Sequence, residues 1–172
     1  VAGGIMWIVM FFAAMTGLSR IFITEEERGT ALMLQISAPS SAVYFGKLLY
    51  NTLLSISINV VSVALFLFFI NQVSIKSVSI FATTIVLSSL GLAAATTIIS
   101  ALISKAGTKN ALFPVLAFPV LLPLIFVGLG LTVEAIEGAD FAQTSNSINM
   151  LIAYSGIIIV LSYFLFDFVW KE

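Results

Sequence analysis

Charged residues divide this chain into apolar blocks, and the blocks predict its architecture. Uncharged runs cover 1–19, 48–75, 77–104, 110–133 and 141–166. Each is about 19 residues or longer, and at 1.5 Å per residue such a helix crosses a hydrocarbon core of about 30 Å. The blocks lack the period-two alternation of barrel strands, so helices, which satisfy their own backbone groups, are what they can form in lipid. The pattern predicts an all-α integral membrane protein with five transmembrane helices in one domain over 1–172. The spans fall at roughly 1–19, 48–72, 79–104, 110–132 and 147–166. A further uncharged run, 29–46, carries Gln35, Pro39 and three serines between Arg28 and Lys47, and reads as a surface or interfacial element.

The basic residues orient the bundle. Arg20, Arg28, Lys47, Lys105, Lys109 and Lys171 all lie in the segments 20–47, 105–109 and 167–172. The alternate loops hold only Lys76, together with Glu134, Glu137 and Asp140. The excess of Lys and Arg marks the cytoplasmic side, so 20–47, 105–109 and the C-terminus are expected there. Residue 1 then lies on the far side. That predicts a helix upstream, six in total, with both ends inside.

The segment 20–47 breaks the apolar pattern. Thr24 followed by Glu25, Glu26 and Glu27 has the form of a capping box, and three carboxylates suit the positive end of a helix dipole. Pro39 disfavours helix at Ala38, so a helix over about 25–37 is expected, with Ser40 or Ser41 capping the next one. Ala31, Leu32, Met33, Leu34 and Ile36 point around most of the circumference of that short helix. A helix lying on lipid shows one apolar stripe; this one suits contact on more than one side. An ordinary juxtamembrane helix with solvated charges is the competing reading.

Inside the spans, Asn51, Ser55, Asn59 and Ser62 fall on one helical face, where they could line a pathway or bond across helices; packing is the commoner role. Thr84, Ser88, Gly91 and Ala95 make a small-residue face suited to close packing. Pro114, Pro119 and Pro123 crowd one span and predict a kinked or partly broken helix, either a hinge or an architectural bend.

Composition narrows the chemistry. Of 172 residues 60% are hydrophobic and 9% charged, with net charge −1; mean hydropathy is +1.18. The surface must face the lipid bilayer, and nucleic acid is not an expected partner. Neither Cys nor His is present, so disulfides, zinc sites and the usual haem ligands are absent. No metal site is expected, and the chain is expected to bind no cofactor. No phosphate-cradling Gly-x-x-x-x-Gly-Lys-[Ser/Thr] pattern occurs, and no ionisable residue lies in the middle of a span. The chain is expected not to be an enzyme, and energy must come from elsewhere.

The stretch "EEERGTALMLQISAPSSAVYFGKLLYN" resembles the cytoplasmic segment of ABC-2-type permeases. More narrowly it is similar to the CcmB family, the permease-like subunit (haem exporter protein B) of the cytochrome c maturation system. "FPVLAFPVLLPLIFVGLG" at 113–130 resembles that family's proline-rich helix, and "LSYFLFDFVWKE" its last helix and acidic tail. The resemblance implies a permease subunit in the cell inner membrane whose 20–47 segment couples to a separate ABC ATP-binding subunit, where ATP is bound and hydrolysed. The coupling residues would be Glu25, Glu26, Glu27, Arg28, Gly29, Thr30, Leu32, Ile36, Pro39, Gly46 and Lys47. Asn51, Ser55, Asn59, Pro114, Pro119 and Pro123 would be pathway or hinge candidates. A haem-handling membrane subunit would be the second partner, with haem the candidate cargo. The alternatives are a membrane scaffold that does not transport, or another ABC-2-type permease with a different substrate.

Overall fold

The computed structural model of the protein describes residues 2–17, 29, 31–71, 74–104 and 109–171. Among these, six helices follow in order: α1 (Ala2–Gly17), α2 (Ala31–Ser37), α3 (Ser40–Phe69), α4 (Val78–Ser104), α5 (Lys109–Glu137) and α6 (Phe141–Lys171). The protein is an all-α membrane bundle. Four helices, α3 to α6, are long and apolar enough to cross a membrane among the described residues. The 16 described residues of α1 reach about 24 Å, and α1 is the shorter apolar helix of the set.

Helix α4 is the centre. It packs against α3, α5 and α6, and every residue from 91 to 101 is buried. Its side chains there are small: Gly91, Ala93, Ala94, Ala95, Thr96 and Thr97. Lipid supplies no hydrophobic drive between helices, so close approach of backbones at small residues holds them together. The face predicted for this purpose is the one used, since Thr84, Ser88, Gly91 and Ala95 are all buried. A Cβ on Gly91 would stand 3.0 Å from Leu124 Cδ1 and 3.2 Å from Ser155 Oγ. The three helices meet at this glycine.

Helix α1 packs on α3 and α5. The Trp7 indole N–H donates to Thr132 Oγ1 at 2.9 Å, in a buried contact. Its ring lies over Gly128, where an added Cβ would fall 2.3 Å from a ring carbon. Glycine is required there because the indole takes the place of a side chain.

Helix α3 starts at Ser40, close to the start expected from a cap at Ser40 or Ser41, so its first two turns precede the membrane span expected from 48. Its 30 residues run to about 45 Å, longer than the hydrocarbon core. Helix α5 runs as one element through Pro114, Pro119 and Pro123, where a partial break was an expected outcome. Neighbouring groups in membrane bundles re-satisfy backbone freed by proline. The carbonyls that lose their donors to Pro119 and Pro123 are those of Val115 and Pro119; the Tyr154 hydroxyl of α6 ties the same stretch to the bundle by donating to the Val120 carbonyl at 2.7 Å.

At one end of the bundle the α3–α4 link lies on the α5–α6 turn. Ser77 N–H donates to the Ala135 carbonyl at 2.9 Å, and Ser77 Oγ donates to the Ala139 carbonyl at 2.8 Å. Gly138 turns the chain there with φ of +91°. Lys76, Glu137 and Asp140 therefore share the end opposite to α2.

Candidate functional site

The site of interest is the other end, where α2 joins α3. Gly29 has φ of +72°, in the left-handed region, so no single helix runs over the expected 25–37. The helix begins at Ala31 instead. Its C-terminal limit is as expected: it stops at Ser37, two residues before Pro39, and the Ser37 hydroxyl donates back to the Met33 carbonyl at 2.6 Å. Thr24, Glu25, Glu26, Glu27, Arg28 and Thr30 lie outside the described residues, and with them the capping box.

Leu32, Met33 and Ile36 stand out from α2 at 68%, 69% and 86% exposure. Leu32 and Ile36 are four residues apart and share a face, and Met33 is turned about 100° from Leu32. Large apolar side chains on so short an element are not used to hold it to the bundle. They are available to something else. Below them, Ala38, Ala42, Val43, Gly46 and Lys47 line a shallow groove of about 240 Å³. Among the described residues a Cβ on Gly46 would meet nothing within 4 Å. Of the sequence candidates, the structure thus gathers Leu32, Ile36, Pro39, Gly46 and Lys47 at one end, with Gly29 at the turn before α2.

The cap of α3 differs from expectation. Pro39 is the N-cap, with φ −67° and ψ 155° and no side-chain cap bond. Ser40 is already helical, and its hydroxyl donates to the Asp167 carboxylate near the end of α6. Serine caps from a position just outside the helix, and proline has taken that position. Tyr44, one turn on, is fully buried; its ring lies 5.3 Å from Phe166 and 6.3 Å from Tyr163. A cleft of about 430 Å³ opens between the two helix ends, lined by Ser40, Ser41, Tyr44, Tyr163, Phe166 and Asp167 among others. Sequence reasoning did not single out Asp167. The signal was there: it ends an uncharged run of 26 residues, 141–166, at the membrane boundary.

Asn51, Ser55 and Asn59 are 0–1% exposed and face α4 within the bundle. The Asn51 amide donates to Thr97 Oγ1 at 2.9 Å, and the Asn59 amide to Ser89 Oγ at 2.8 Å. Ser62 donates to its own helix at Ile58. Of the four, Asn51 and Asn59 bond across helices. Pro119 and Pro123 are exposed on the outer face of α5, away from this polar row; for Pro114 the helix backbone alone is described.

A family model described as CcmB protein matches residues 1–168. The chain belongs to the CcmB family. With the apolar helices, membership makes it a multi-pass membrane protein and a membrane component of a haem-exporter system for cytochrome c maturation, a system of several subunits. No curated protein and no solved structure matches this CcmB-family chain.

Proposed function

We propose that this chain is the permease subunit of an ABC-type complex, and that α2 docks on the separate ATP-binding subunit. The observation that carries this reading is the exposure of Leu32, Met33 and Ile36 on a helix joined to α3 through Ala38 and Pro39 alone. Motion of a docked α2 passes directly into the first turns of α3, which extend beyond the hydrocarbon core. The segment 20–47, the α4–α5 link and the C-terminus face the cytoplasm of a cell inner membrane, in line with the Lys and Arg distribution. The chain itself turns over no substrate; ATP is hydrolysed on its partner. A haem-handling membrane subunit completes the assembly. Haem is the cargo class of the system, and with no His or Cys in this chain its strong axial ligands come from other subunits.

Leu32→Asp puts a charge into a contact that must lose water to form, an expensive change. The variant is expected to insert normally and to lose co-purification with the ATP-binding subunit. Unchanged co-purification overturns the docking role of this face. Orientation is tested by single cysteines at Ser41, Thr108 and Ser145 in this Cys-free chain. An impermeant reagent is expected to label only the Ser145 position from outside intact cells.

A further inference from the structure

The polar row on α3 meets α4 in a constant antiparallel register. Asn51 bonds to Thr97 and Asn59 to Ser89, so Ser55, midway between them, comes opposite Ala93. The two amide rungs are eight residues apart on each helix, about 12 Å. The layer between them pairs a serine with an alanine, two of the smallest side chains available.

The hydrogen bonds of this row do not close. The Thr97 hydroxyl already donates to the Ala93 carbonyl at 2.5 Å, and the Ser89 hydroxyl to the Ile85 carbonyl at 2.7 Å. Each accepts one amide N–H and has no second proton to give. Asn51 Oδ1 and Asn59 Oδ1 are therefore left buried with no partner among the described residues, as is Ser55 Oγ. Turning either amide over merely exchanges which of its two polar atoms is orphaned. Ser55 is unlike its neighbours on α3. Thr52, Ser57 and Ser62 each donate to their own helix four residues back, at 2.8–2.9 Å. Ser55 makes no such bond.

We propose that the gap between Ser55 and Ala93 is a binding site for a short file of internal water. Buried polar atoms inside a membrane bundle need partners. What is missing here is donors beside two amide oxygens, with one hydroxyl between them that can both give and accept. One water donating to Asn51 Oδ1 and accepting the Ser55 proton, and a second donating to both Asn59 Oδ1 and Ser55 Oγ, satisfies all three groups. Buried waters characteristically make two to four such bonds. The file lies on the helix that carries α2, and water-mediated contacts can exchange partners without opening a dry interface.

The test is water-edited solid-state NMR on the full chain in lipid vesicles, with isotope-labelled asparagine and alanine. Peaks are assigned by replacing each asparagine in turn. Ala94, fully buried on α4, is the dry reference, and Asn146, exposed near the start of α6, the wet one. Magnetisation from water is expected to reach the Asn51 and Asn59 side chains several-fold faster than the Ala94 methyl. Transfer as slow as at Ala94 overturns the proposal, and this wild-type measurement decides it alone. Ser55→Val fills the gap with an apolar branch and should bring both amides down to the Ala94 rate, with the Ala94 shift unchanged as the sign of an intact fold. Undiminished transfer in that folded variant overturns the Ser55-bridged file.

Discussion

The apolar 18-residue stretches of α4 and α6 have the same hydropathy, yet 78% of the α4 stretch is buried inside the bundle and 17% of the α6 stretch. Overall apolarity therefore does not tell inside from outside in this protein. What separates the two helices is side-chain size. Helix α4 carries Gly91, three successive alanines and a run of Ser and Thr whose hydroxyls bond back to their own helix, as Thr84, Ser89, Thr96 and Thr97 do. Helix α6 keeps Ser155 and Ser162 on its inner face and turns Ile157, Val160, Leu161 and Phe164 outward. In water the large apolar residues would go inside. In lipid they face the solvent, and the small and polar ones make the contacts.

The strongest way to break this comparison is to exchange the roles of two glycines. Gly91 on α4 is enclosed by Leu124 and Ser155, whereas a Cβ on Gly156 of α6 meets nothing within 4 Å. Gly91→Leu should destabilise the bundle by about 1–3 kcal/mol or prevent it from folding, as overpacking does. Gly156→Leu should stay within about 0.5 kcal/mol. Unfolding in mixed micelles, followed by fluorescence of the buried Trp7, measures both. Similar effects at the two sites would mean that size does not set the inner face.

A smaller effect is expected from the polar rungs. Thr97→Val keeps the shape of the side chain and removes the acceptor of the Asn51 amide, leaving that amide without a protein partner. The expected loss is about 1 kcal/mol, between the 0.6 kcal/mol average for interhelical bonds in lipid and the full penalty for an orphaned group. Ser57→Ala, on the exposed face of α3, removes only a bond within one helix and should cost close to nothing by the same unfolding assay.

The same contrast explains what the sequence could disclose. The stripe of Asn51, Ser55 and Asn59 was legible because helical spacing alone puts those residues on one face, as it does for Thr84, Ser88, Gly91 and Ala95. Their partners Thr97 and Ser89 were not, because the register between two helices is set by packing that no local spacing encodes. Pro39 announced the end of α2 through a steric rule acting on the adjacent residue. Gly29 gave no equal sign that it would turn left-handed and postpone the start. Ser40 was legible as a polar residue near a helix start, but its bond runs to Asp167, 127 residues away. Gly128 could not be read at all: only the approach of Trp7 from α1 gives it a role.

The smallest structural effect should come from the prolines of α5. Pro119 and Pro123 face outward, so their rings fill no space in the bundle. Replacing both by Ala returns two backbone donors to the helix, for the carbonyls of Val115 and Pro119, and removes the ring contacts with the preceding turn. The gain is offset by a more flexible unfolded chain, and the bundle already accommodates the residues as one continuous helix. The net change should be within about 0.5 kcal/mol, with a stabilising sign. Function can respond much more than stability. If α5 bends during the working cycle, its missing backbone bonds keep two helix geometries close in energy, and restoring them should lower cytochrome c maturation while the ATP-binding subunit still co-purifies. Full maturation in the double variant would make the prolines architectural.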